Sequence, residues 1–214
     1  SSTSVVTLIP SVAKAITATS QPFTSGTNLA ISEIATYTMT VGVPHSRTPN
    51  ARLVDTLPDG LALVSLDSIT ANPSLSATAG SFASILANAS IGANGSSFTL
   101  NFGDIINSDR NSATTETFVI TYQAASLNVA ANTNGRVQAN NAVITFDGGQ
   151  ASGSTNATIV VPVLQVTKTI DSPNADAGDL VTYDIVIAHA PGSGADAFDL
   201  NLTGVVPAEV IYQA

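Results

Sequence analysis

Along much of this chain apolar residues alternate with Thr, Ser or Asn, a period of two that sends successive side chains to opposite faces of a strand. Tyr37, Met39 and Val41, for example, are interleaved with Thr36, Thr38 and Thr40. The pattern predicts strands over residues 34–43, 51–56, 98–102, 117–123 and 137–146. Turn chemistry separates them at Pro58-Asp59-Gly60, Asn94-Gly95, Asn134-Gly135 and Asp147-Gly148-Gly149. Residues 65–95 fit either a strand pair or a short helix near 82–88. Heptads and long amphipathic helical stretches are missing, so the expected fold is all-β. Two packed antiparallel sheets would bury Tyr37, Met39, Leu53, Phe118, Ile120, Ile144 and Phe146 between them.

The pattern also repeats. Val12-Ala13-Lys14-Ala15-Ile16-Thr17 returns as Val166-Thr167-Lys168-Thr169-Ile170-Asp171, with an apolar stretch ending near a proline upstream of each copy. Downstream, Glu33-Ile34-Ala35-Thr36-Tyr37-Thr38-Met39 answers to Asp179-Leu180-Val181-Thr182-Tyr183-Asp184-Ile185, and Leu53 to Pro58 answers to Leu202 to Pro207. The expected organisation is therefore a closing strand of a preceding repeat at residues 1–10, a complete sandwich at 11–163, and a truncated second repeat at 164–214. No Gly/Ser linker lies between the repeats. The run through Pro162 is expected to be nearly continuous, extended and stiff, which suits a rod.

Composition narrows the function classes. Only 10% of the 214 residues are charged, and 6 Lys and Arg against 15 Asp and Glu leave a formal charge of −9. That balance would repel a nucleic-acid backbone. Cysteine is absent, which excludes disulfides and thiolate metal sites. No apolar run approaches the ~18 residues that cross a bilayer as a helix, so no membrane insertion is expected in this segment. His45 and His189 are the only histidines and belong to no ligand-spaced cluster, and there is no nucleophile elbow. The expectation is a protein that is not an enzyme, with no metal and no cofactor.

Several segments in order carry a family resemblance. Tyr37-Thr38-Met39-Thr40-Val41, Pro44 and Asp55-Thr56-Leu57-Pro58-Asp59-Gly60-Leu61 resemble the signature of bacterial fimbrial isopeptide-forming (CnaA-like) domains and related immunoglobulin-like cell-surface repeats. Phe102-Gly103-Asp104-Ile105-Ile106-Asn107 is similar to their mid-domain strand and turn, and Asn140-Asn141-Ala142-Val143-Ile144-Thr145-Phe146 to their closing Asn-x-Ala strand. The resemblance implies immunoglobulin-like antiparallel β-sandwich repeats in tandem, of the kind that build pilus shafts and adhesin stalks. Some such domains crosslink themselves between a strand-borne Lys and a distant Asn, with a nearby acid promoting the reaction. Carried over by position, these residues are Lys14, Asn140 and Asp55.

The chemistry explains the residue types. An ammonium is no nucleophile, so the Lys must be buried to lower its pKa, and the same burial raises that of the carboxyl. A protonated Asp55 would hydrogen-bond the Asn140 carbonyl, polarise it and help ammonia leave. Alternation places Asn140, Ala142, Ile144 and Phe146 on one apolar face. One observation stands apart from any family: the chain has only two lysines, Lys14 and Lys168, and they occupy the same place in both repeats.

Structural readings stand beside each of these. Lys14 as an edge-strand lysine would discourage aggregation or pair with Glu33. Asp55 as a strand-end residue would cap the following turn. Asn140 would satisfy a backbone group, and Asn141 is its rival in sequence. In the second repeat Gly204 stands where Asp55 would be, so Lys168 is expected to be structural. Calcium takes six to eight oxygen ligands, and the stretches 171–179 and 104–109 hold clustered acids without the spacing of a known calcium loop; turn and capping roles are the alternative. The expected function is a stalk or spacer repeat of a large bacterial cell-surface adhesin or fimbrial protein, extracellular, with neighbouring repeats as its partners. Two alternatives are a filament or surface-layer subunit joined to like subunits by strand addition, and a glycan- or receptor-binding module. The scarcity of aromatics, 5% of the chain with no Trp, weighs against the last.

Overall fold

The structure is a computed structural model that describes residues 8–111, 115–197 and 200–212. The chain divides into two compact units, Ser1–Val161 and Pro162–Ala214. In the first, thread after thread of alternating residues becomes strand: β1 (Ser11–Thr19), β2 (Asn28–Ala30), β3 (Ile34–Val43), β4 (Ser46–Thr56), β5 (Leu61–Ala71), β6 (Leu75–Ala77), β7 (Ser90–Ile91), β8 (Ser97–Asn107), β9 (Glu116–Ser126), β10 (Val137–Phe146) and β11 (Gly149–Val160). A short helix, α1 (Phe82–Ala87), follows β6, its first turn capped by the Ser81 hydroxyl accepting from the Ser84 N–H.

Two sheets face each other. One runs β1-β3-β9-β5; the other runs β2-β11-β10-β4-β8-β6, with β7 also on β8. Pairing is antiparallel except between β2 and β11. The period of two is what closes the sandwich. Along β3, Ala35, Tyr37, Met39 and Val41 are fully buried while the threonines between them are half-buried. Phe118, Ile120 and Tyr122 do the same on β9, and Phe98, Leu100 and Phe102 on β8. Each such apolar side chain contributes on the order of 1.5–3 kcal/mol by leaving water, enough together to hold the sheets without a disulfide.

Most sequence-based expectations for this unit hold, and the strand edges extend beyond several of them. Of the expected core, only Phe146 is less than fully buried, because it lies at the end of β10 beside the turn into β11. The ambiguous stretch 65–95 holds β5, β6, α1 and β7, so strands and a helix both occur there. Of the expected closing strand at 1–10, residues 1–7 lie outside the described residues and 8–10 carry no strand. At the boundary between the units β11 ends at Val160 and the next strand begins at Leu164.

The second unit contains the antiparallel pair β12 (Leu164–Ile170) and β13 (Tyr183–His189). Its register parallels that of β1 and β3. Lys168 stands opposite Ile185 and Ile170 opposite Tyr183, as Lys14 stands opposite Met39 and Ile16 opposite Tyr37.

Candidate functional site

Lys14 belongs to an edge strand but points inward. On β1 the even positions Val12, Lys14 and Ile16 turn toward the second sheet, and β1 packs across β11 and β10. The approach is close at one point. A Cβ on Gly153 of β11 would lie 2.5 Å from the Val12 carbonyl oxygen and 2.9 Å from its carbon, so only glycine fits under β1 there. Gly153 pairs with Ala142 on β10, Ala142 with Asp55 on β4, and Asp55 with Phe98 on β8. Two small residues thus open a slot in the inner face, and the acid stands beside it.

Into that slot comes the Lys14 ammonium, which donates to Asp55 Oδ2; both side chains are completely buried. The Tyr122 hydroxyl donates to the same Asp55 oxygen at 3.1 Å. Asn140, fully buried on β10, donates through Nδ2 to the Tyr122 hydroxyl at 2.9 Å. The three sequence-predicted residues, Lys14, Asp55 and Asn140, therefore meet in one buried cluster that spans both sheets. The rival Asn141 is exposed on the opposite face. Glu33 does not pair with Lys14. Its carboxylate accepts from the Thr24 hydroxyl and from the backbone N–H groups of Gln21 (3.1 Å) and Ala30 (2.7 Å), holding the loop between β1 and β3. Nor does Asp55 cap the following turn, which closes through Leu61 N–H to the Pro58 carbonyl.

Tyrosine rings wall the cluster. Tyr37 and Tyr122, paired across β3 and β9, stack at 5.1 Å and 8°, and Phe98 meets Tyr122 edge-on at 5.0 Å. Lys14 Nζ lies 5.8 and 5.5 Å from the two tyrosine ring centroids. Tyr122 is the residue that sequence reasoning missed. The available signal was a tyrosine in phase with Phe118 and Ile120 on an inward face, since a buried phenol needs a hydrogen-bond partner.

Burial governs the electrostatics. Desolvation pushes the Lys14 ammonium down to about 8, against the attraction of Asp55, which acts to raise it. Desolvation likewise pushes the Asp55 carboxyl up, opposed by Lys14 and by the hydrogen bonds from Lys14 and Tyr122. Both directions ease the passage of a proton from the Lys14 ammonium to the Asp55 carboxylate. Burial, and next the Asp55 charge, also push both phenols up, so Tyr37 and Tyr122 stay protonated. Among the described residues, the buried Asp55 Oδ1 and Asn140 Oδ1 have no hydrogen-bond partner, while the Tyr37 hydroxyl lies beside the Asn140 amide. An unsatisfied buried acceptor costs about 1–3 kcal/mol, and such a group calls for an explanation in chemistry. A proton on Asp55 supplies a donor in a cluster where two acceptors lack one.

The equivalent lysine of the second unit has different surroundings. Lys168 is exposed and lies 4.3 Å over the Tyr183 ring. Three of the acids weighed for calcium, Asp171, Asp179 and Asp104, accept hydrogen bonds within their own turns or at a strand bend. Asp171 accepts from Thr182 N–H at 2.9 Å, Asp179 from Asp176 N–H at 2.8 Å, and Asp104 from Asn50 N–H at 3.1 Å and from Arg47. Among the described residues no group of three His, Cys, Asp or Glu is placed to hold a metal. His45 is exposed beside Pro44, and no described helix is long and apolar enough to cross a membrane.

No family model matches the sequence, and no curated protein matches it. Solved structures give distant likenesses. One is BspA_C_WT, with 12% identity over 70% of this chain and 50% of that one and a TM-score of 0.48. A second is the C-terminal domain of the Streptococcus pyogenes antigen I/II-family protein AspA, with 15% identity over 70% and 46% and a TM-score of 0.47. A third is the full-length major pilin SpaD from Corynebacterium diphtheriae, with 13% identity over 74% and 36% and a TM-score of 0.43. The chain spans half or less of each of these proteins. At such identities and TM-scores none of them assigns a role to this chain.

Proposed function

We propose that this chain is a load-bearing spacer segment of a bacterial cell-surface adhesin or fimbrial protein, whose first unit is braced by an intramolecular isopeptide bond between Lys14 and Asn140, promoted by Asp55. The observation that carries the reading is the cluster itself: a lysine, a carboxyl and an amide, all buried, gathered from the first strand of one sheet and from two strands of the other. A structural lysine on an edge strand has no need of a desolvated carboxyl and a neighbouring amide with an unpaired carbonyl. In this reading the Lys14 ammonium gives a proton to Asp55, the neutral amine attacks the Asn140 carbonyl carbon, a new C–N bond forms, and the amide nitrogen leaves as ammonia. No turnover follows, so the protein is not an enzyme in the ordinary sense.

The functional consequence is mechanical. Force entering at β1 passes through a covalent link to β10, and the residues between 14 and 140 cannot be drawn out. Single-molecule stretching of the full chain tests this. The wild type is expected to withhold roughly 3.5 Å of extension for each of the 126 residue steps that the bond encloses, and Lys14→Ala is expected to release them. Equal extension of the two proteins would contradict the load-bearing role.

A further inference from the structure

The cluster contains a fourth polar group, and its position defines a task. The Tyr122 hydroxyl sits between the carboxyl and the nitrogen that must leave, donating to Asp55 Oδ2 and accepting from Asn140 Nδ2. We propose that Tyr122 is a catalytic residue of the crosslinking reaction, relaying a proton from Asp55 to the departing nitrogen of Asn140. The inference rests on the reading that Lys14 and Asn140 become joined.

The proton balance fixes the steps. Lys14 begins with three protons on Nζ and ends with one in the amide, so two must be moved. The first passes directly to Asp55 Oδ2, which Lys14 already contacts. When the amine attacks, Asn140 Nδ2 ceases to be a planar amide nitrogen and gains a basic lone pair. Both hydrogen bonds then reverse: Asp55 O–H donates to the Tyr122 oxygen, and Tyr122 O–H donates to Nδ2. Transfer along this pair protonates the leaving group, restores the phenol and returns Asp55 to carboxylate, which takes the second proton from the attacking nitrogen. Breaking the C–N bond releases ammonia, and Asp55 keeps a proton that later exchanges with solvent. Tyr122 is chemically unchanged, so its phenol needs to be held protonated, as its burial does. Tyr37 differs in the respect that matters: its ring stacks on that of Tyr122 and its hydroxyl lies beside the Asn140 amide, but no hydrogen bond joins it to Asp55, so it does not bridge the acid and the leaving nitrogen.

The test uses full chain purified unfolded before any bond has formed, then refolded and sampled by mass. Tyr122→Phe keeps the ring that Tyr37 and Phe98 pack against and removes only the relay. Bond formation is expected to slow by about a hundredfold, the lower range for a positioned acid, while Tyr37→Phe, which removes a hydroxyl with no hydrogen bond to Asp55, slows it far less. Should Tyr122→Phe fail to fold, wild type refolded in mixtures of light and heavy water decides the matter. Two protons moving together give a rate that curves with deuterium fraction; a single proton gives a straight line. A wild-type rate in folded Tyr122→Phe, or a straight line, would overturn the role of Tyr122 and leave the bond standing. A wild type that never loses ammonia would overturn the relay and the crosslink together.

Discussion

At the residue scale the site is decided by desolvation against charge pairing. In Asn140→Ala, which cannot form the bond, Lys14 remains a titrating amine whose pKa is about 8 in the fold against 10.5 in the unfolded chain. Between those values the unfolded state binds more protons, so stability rises with pH through that window, and below about pH 8 the folded state carries the full burden of a buried ammonium. The rise is expected to approach 3 kcal/mol, on the basis of ~1.4 kcal/mol per unit for a fully buried group. Asp55 works in the opposite sense. Its raised pKa makes the folded state hold a proton that the unfolded state has lost, a contribution present at acid pH and fading as pH climbs above 3.8 through the folded value. Urea unfolding of Asn140→Ala at pH 7 and pH 10 checks the alkaline arm. Wild-type chain in which Lys14 has become an amide should show no such rise, because there is no amine left to titrate.

At the element scale the delicate contact is β1 crossing β11. Gly153→Ala places a methyl against the Val12 carbonyl, and because backbone rather than a flexible side chain is in the way, β1 must lift. The expected cost is roughly 1–3 kcal/mol, and the same lift moves Lys14 from Asp55 and slows bond formation. Thermal unfolding and time-resolved mass measure the two effects; unchanged values of both would show that β1 tolerates the methyl. This crossing also explains what the sequence hid. β3 was legible to the residue because its inward positions are apolar against Thr, and β10 because Ala142, Ile144 and Phe146 share one face between the Asn134-Gly135 and Asp147-Gly148 turns. The first half of β11, Gly149 to Thr155, carries no apolar alternation, since the inward residues Ala151, Gly153 and Thr155 must be small to admit β1. β8 and β9 extend past their expected bounds because Gly103, Asn107 and Glu116 break the apolar alternation while their backbones still pair. Lys14, Asp55 and Asn140 were legible through lysine scarcity, strand phase and resemblance. Tyr122 was not, because its partners come from two other strands and no local pattern marks a hydroxyl that bridges them.

At the scale of the whole molecule, the first unit guards its edges. β1 carries an inward lysine and an irregular step between Ile16 and Ala18, β5 shifts register twice, and β2 and β6 are three residues long. Such edges resist strand addition, whereas β12 and β13 pair through seven residues without a shift and leave Val166 and Val186 exposed. On the proposed reading, what would mark the first unit as a spacer is the link between Lys14 and Asn140 across its interior. By the chain-entropy argument a bond closing the loop from 14 to 140 adds about 5 kcal/mol, and its resistance to force is the larger effect. The most direct measurement is the intact mass of the folded chain. The expected result is a wild type lighter than its sequence by one ammonia, with Asp55→Ala at full sequence mass. A folded wild type at full sequence mass would contradict the crosslink and leave Lys14 and Asp55 as a buried pair with a structural role alone.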